Sequence, residues 1–177
     1  MVVRDFNSAL ISMLRNLEEV EDELAELYSE LSELAADELS KISLQLISRD
    51  SAKHRDILKG IEETLLNDLK GSLSVEGVAA MNRELESKLG KIREYAATVR
   101  GGVTKDLANR LMELEDYETI ALSMYEYMLS SYESASSRVL TSGERSRMEV
   151  IKSIIRSIID DEKFHKELIG RLSNLTH

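Results

Sequence analysis

The sequence predicts an all-α protein, a bundle of four long helices with a long crossover between the second and the third. Three observations predict it. The 177 residues contain no proline and only eight glycines, so little in the chain interrupts a helix. Apolar residues recur at alternating steps of three and four, the pattern of helices that bury one face. Two breaks, at Gly71 and at Gly101-Gly102, isolate a stretch too long to be a turn and too apolar to be a linker.

The first stripe reads Leu10, Leu14, Leu17, Glu21, Leu24, Tyr28, Leu31, Ala35, and the second Leu44, Ile47, Ser51, His54, Leu58, Ile61, Leu65. A tight junction near Ala36-Asp37 separates them. The third reads Leu107, Leu111, Leu114, Glu118, Ala121, Tyr125, Met128, Tyr132. The fourth reads Met148, Ile151, Ile155, Ile158, Glu162, His165, Ile169, Leu172. Each stripe implies a helix of about 30 residues, roughly 45 Å long. Between the second and third, Val78, Met81, Leu85, Leu89, Ile92, Ala96 and Val99 keep the same steps without a polar member, which predicts an additional helix in the crossover. The Ser-rich stretch from Ser134 to Gly143 joins the last two helices, and Thr141 with Glu144 forms a capping box. No Gly/Ser linker divides the chain. Residues 1–177 therefore read as one domain, with helix pairs over 5–68 and 104–174 and a crossover over 69–103. The two pairs look like a distant internal repeat.

The polar members of the four stripes carry the chemical signal. A core face should be apolar, because an unpaired buried charge is costly. Yet Glu21, Ser51, His54, Glu118, Glu162 and His165 all fall on core stripes. Residues equidistant from a hairpin turn lie level, and the midpoint of Glu21 and His54 falls between Asp37 and Glu38, at the predicted turn. Glu162 and His165, three apart, share one helix face. Ser51 and His54 hold the corresponding places on the second helix. Carboxylates and imidazoles converging in a dry interior require a cation, and oxygen and nitrogen donors without sulfur suit iron or manganese, with zinc a further candidate. Asp50 and Asp161 each lie four residues before a histidine, placed to bond the outer ring nitrogen of a histidine on another helix. Tyr28 and Tyr125 read as core aromatics with bonded hydroxyls.

These strings resemble the ferritin-like superfamily, in particular its rubrerythrin-type and bacterioferritin-type members. Glu21 through Tyr28 and Glu118 through Tyr125 look like the family's glutamate followed seven residues later by tyrosine. Asp161-Glu162-Lys-Phe-His165 is similar to its second Asp-Glu-x-x-His stretch, and Asp50-Ser51-Ala-Lys-His54 resembles the first, with Ser51 in place of the glutamate. The resemblance implies a ferritin-like four-helix bundle with a di-iron carboxylate centre. Glu21 and His54 would hold one metal, Glu118 and His165 the other, and Glu162 would bridge. Ser51 removes the second bridge, so two ions or one are implied. The implied chemistry is a rubrerythrin-like peroxidase or a ferroxidase acting on hydrogen peroxide or dioxygen with an external electron donor. The alternatives are a non-catalytic metal-binding or sensing bundle, and a structural module with a degenerate site.

Composition trims the field further. The absence of cysteine excludes disulfides, zinc fingers, thiolate iron–sulfur centres and a cysteine nucleophile. Within these 177 residues no cysteine-rich electron-transfer domain of the kind rubrerythrin proper carries is expected. A net charge of -10 argues against nucleic acid and anionic membrane surfaces as partners. No run approaches the roughly 20 apolar residues of a membrane span, and Met1 to Leu14 lacks a secretion-signal layout. A cytoplasmic protein is expected, and a homodimer is the expected assembly.

Overall fold

The computed structural model describes residues 2–68, 114, 118, 119, 121–130 and 142–175, with residues 83, 87, 90, 91, 93, 94 and 97 between them. The regular structure of these residues is entirely α-helical. Helix α1 spans Val2–Leu34 and α2 spans Glu38–Asp68. Helix α3 is helical at 114, 118, 119 and 121–130, and α4 spans Ser142–Leu175. The described positions between 83 and 97 are helical, and Arg93 among them pairs with Glu19 and Glu23 of α1 at 2.9 and 3.1 Å. The rest of the crossover, with its apolar stripe and flanking glycines, lies outside the described residues. So do Thr141 of the capping box, Leu107, Leu111 and Tyr132. Among the described residues, no helix is long and apolar enough to cross a membrane.

The turn between α1 and α2 is as tight as the sequence predicts. Asp37 caps α2: its Oδ1 accepts the Ser40 backbone N–H at 2.8 Å, and its carbonyl accepts the Lys41 N–H at 3.1 Å. One aspartate thus satisfies an otherwise orphaned donor of the first helical turn.

Pairs across the helices fix their directions. Arg15 meets Glu62, Asp22 meets Arg55, and Ala25 meets Ser48, so α1 and α2 are antiparallel. Tyr28 reaches Glu118 while Tyr125 reaches Glu21, which makes α1 and α3 antiparallel. His54 meets Asp161 while His165 meets Asp50, which makes α2 and α4 antiparallel. It follows that α2 and α3 run in the same direction. Parallel helices cannot be joined by a tight turn; they need a connection that returns along the bundle. The long stretch between the second and third stripes answers that need.

One core unites the four helices. Leu14, Leu17, Leu24, Leu31, Leu44, Ile47, Leu58, Leu114, Met128, Ile155 and Ile169 are each fully buried or nearly so. Of the stripe members whose side chains are described, all are buried save Ala35, just past the end of α1, which is half-buried. Met13, Val20, Leu27, Met124 and Ile159 widen the core beside the stripes. Glu62 of α2 is also buried, and it pairs with Arg15 of α1 at 2.8 Å.

Candidate metal centre

Glu21, Ser51, His54, Glu118, Glu162 and His165 are at most 1% exposed. Each is flanked along its helix by buried leucine, isoleucine, methionine or tyrosine, which exclude water. The helical repeat that buries those apolar neighbours also turns these polar side chains inward.

The five acids and histidines fall into two overlapping groups, Glu21 with His54 and Glu162, and Glu118 with His165 and Glu162. Within each group the donor atoms lie within 4.8 Å of one another. His54 Nδ1 lies 3.6 Å from Glu21 Oε1 and 2.9 Å from Glu162 Oε1. His165 Nδ1 lies 3.8 Å from Glu118 Oε2 and 3.7 Å from Glu162 Oε1. Glu162 therefore stands between the two halves. The imidazole ring centres are 5.9 Å apart.

The outer ring nitrogens are held by aspartates across the α2–α4 seam. His54 Nε2 is 3.1 Å from Asp161 Oδ2, and His165 Nε2 is 3.4 Å from Asp50 Oδ2. A carboxylate can only accept, so each Nε2 carries the proton and each Nδ1 is left with a lone pair facing inward. Lys53 ties the two aspartates together, 2.9 Å from Asp50 and 3.0 Å from Asp161. The distal glutamates are pinned in a crossed manner. The Tyr28 hydroxyl donates to Glu118 Oε1 and the Tyr125 hydroxyl to Glu21 Oε1. Each tyrosine thus serves the glutamate of the opposite helix, and burial, reinforced by those glutamates, raises both phenols well above their ordinary value.

What remains are donor atoms with nothing to bind. Glu21 Oε2, His54 Nδ1, Glu118 Oε2, both oxygens of Glu162 and His165 Nδ1 are buried without a hydrogen-bond partner. His54 Nδ1 and Glu162 Oε1 face each other at 2.9 Å as two acceptors, an arrangement that only a proton or a cation between them relieves. Without a metal, burial and the charges of Glu21 and Glu118 push the Glu162 carboxyl well above the usual range. At His165, burial lowers the pKa, but the neighbouring Glu118 and Asp50 outweigh it and raise the group overall. The donor set therefore fits one or two hard-to-borderline divalent cations, bound by oxygen and imidazole.

Ser51 lies on the same buried face, one turn before His54, where Glu162 stands one turn before His165. Three acids stand near enough in the sequence to be candidates for the absent one, Glu18, Glu115 and Glu126, and of these Glu126 is exposed on α3. Glu18 is engaged elsewhere, beside Glu62, and burial together with the charge and hydrogen bond of Glu62 raises it to about 7. Glu115 lies outside the described residues. Lys53 and the crossed tyrosines escaped the sequence reading, because periodicity assigns a residue to a face but not to a partner helix. No family model matches the chain, and neither a curated protein nor a solved structure matches it.

Proposed function

We propose that this protein is a ferritin-like metalloprotein that binds a pair of iron ions, or manganese or zinc in their place, in the interior of its bundle. Its reaction is with hydrogen peroxide or dioxygen, using electrons from an external donor. The observation that carries the reading is the set of buried, partnerless oxygen and nitrogen atoms on Glu21, His54, Glu118, Glu162 and His165, grouped into two clusters that share Glu162. The helix directions support it as well, since a second and third helix that run in the same direction, joined by a long crossover, is the arrangement of ferritin-like folds.

Glu21 and His54 would hold one ion, Glu118 and His165 the other, and Glu162 both. When bound, the metals would supply redox chemistry toward peroxide or dioxygen. The chain's own residues prepare the site. Asp161 and Asp50 fix the histidine tautomers and aim each Nδ1 inward. Tyr28 and Tyr125 occupy one oxygen of each distal glutamate and leave the other for a ligand. The surrounding leucines and isoleucines keep bulk water away. Ser51 favours a second reading, a one-ion binding or sensing site without turnover, because it removes one carboxylate from the set.

Anaerobic loading with Fe(II), followed by metal counting and peroxide addition, separates the two. Two irons per chain and rapid growth of the near-ultraviolet band of oxidised iron support the redox reading. One iron without oxidation supports the second. Binding no greater than that of a Glu162→Ala/His165→Ala control rejects both.

A further inference from the structure

The two halves of the centre repeat the same glutamate, tyrosine, aspartate and histidine. Glu21 and Tyr28 of α1 answer to Glu118 and Tyr125 of α3, and Asp50 and His54 of α2 answer to Asp161 and His165 of α4. The contacts repeat across this pseudo-two-fold: tyrosine to opposite glutamate, histidine to opposite aspartate. Among the buried polar residues of the centre, the bridging position breaks it, with Glu162 on α4 and Ser51 on α2, both 1% exposed. Serine carries no carboxylate and ends near its Cβ, so position 51 supplies neither the charge nor the side-chain length that Glu162 supplies at its counterpart.

Charge gives the same answer. Glu21, Glu118 and Glu162 supply three carboxylates to the two clusters. Three negative charges against two divalent cations leave one positive charge among the ligands themselves, the next charges, Asp50, Asp161 and Lys53, lying behind the histidines and partly exposed. A single monoanion of carboxylate shape at the vacant bridging face removes that excess, and the Ser51 hydroxyl is a donor suited to one of its oxygens.

We propose that Ser51 makes the second bridge of the metal pair exchangeable, so that a small monocarboxylate from solution, of the size of formate or acetate, binds between the ions where a glutamate side chain would otherwise stand. This rests on the two-ion reading above. Its consequence is a site whose metal affinity depends on the anion present.

The experiment uses Zn(II) and acetate as probes. Zn(II) affinity is measured by competition with a chromophoric chelator, in acetate and in a weakly coordinating anion such as perchlorate, for the full chain and for Ser51→Glu. The expected result is two ions per chain in acetate, with the second bound about ten-fold or more tightly than without acetate, and no such dependence in Ser51→Glu. A second readout is the line width of 13C-labelled acetate with Mn(II)-loaded protein, which broadens for the native chain and not after Ser51→Glu. Should Ser51→Glu fail to fold, the acetate dependence and line broadening of the native chain still decide the matter. Two ions bound with the same affinity in both media, and unbroadened acetate, overturn the inference and leave the function reading intact. Fewer than two ions per chain in acetate overturns the two-ion reading itself.

Discussion

His54 and Asp161, 107 residues apart in the chain, meet at 3.1 Å across the α2–α4 seam, and the bond turns the other imidazole nitrogen into the bundle interior. Asp161 is only partly buried, with its side chain 35% exposed, so it can be changed without opening the core. Asp161→Asn is expected to weaken metal binding by about 10–100-fold while leaving the helical circular dichroism unchanged. Chelator competition measures it. Asp50→Asn should act in the same direction on His165, across a longer contact of 3.4 Å.

The crossed tyrosines are structural in the first instance. Tyr125→Phe removes the hydroxyl that donates to Glu21 Oε1 and leaves that buried oxygen without a donor. A loss of about 1–3 kcal/mol in unfolding free energy is expected for the metal-free protein, read from urea titration. Tyr28→Phe should match it through Glu118. If both variants unfold at the native urea midpoint, the tyrosine–glutamate bonds contribute nothing and the pinning role fails.

Glu162 sets a pH dependence on the metal-free protein. Its folded-state pKa is raised above the ordinary 4.5, by burial first and then by Glu21 and Glu118. Between those values the folded chain holds a proton that the unfolded chain has released. Stability from this group is therefore complete below about pH 4.5 and falls as pH rises through the raised value. Glu162→Gln should unfold at a higher urea concentration than the native chain at pH 8 and show a flatter pH profile, while losing metal binding. A variant less stable than the native metal-free chain at pH 8 would show that Glu162 is not strained there.

Glu18 offers a second and separable titration. Burial and the nearby Glu62 raise it from 4.5 to about 7, so its contribution is also lost as pH rises, over the window from about 4.5 to 7. Glu18→Gln should flatten the stability profile within that window and leave metal affinity untouched. Urea midpoints at pH 5 and pH 8 measure the first effect, and chelator competition the second.

The sequence made some of this legible and hid the rest for identifiable reasons. The turn near Asp37 was readable from the break between the first two stripes, and a hairpin then makes the levelness of Glu21 and His54 a matter of counting. The inward placement of Glu118 and Glu162 was readable because a polar residue on an apolar stripe has nowhere else to go. Partner choice was not readable. That Tyr28 bonds Glu118 and not Glu21, or that Lys53 joins Asp50 to Asp161, depends on which helices are neighbours and in which direction they run. The burial of Glu62 was hidden for a similar reason: its company, Arg15, lies 47 residues away on another helix.

The directions of the helices have a consequence for how the molecule assembles. Contacts between α1 and α2 close short loops, 23 residues for Ala25 with Ser48 and 33 for Asp22 with Arg55. The contacts that complete the metal centre close loops of 90 to 115 residues. Short loops form fast and long ones slowly, so the first hairpin folds early and the donor atoms converge only when α4 docks. Ions held there would clasp contacts of the longest loops, and their effect is then expected on the rate of unfolding more than on the rate of folding.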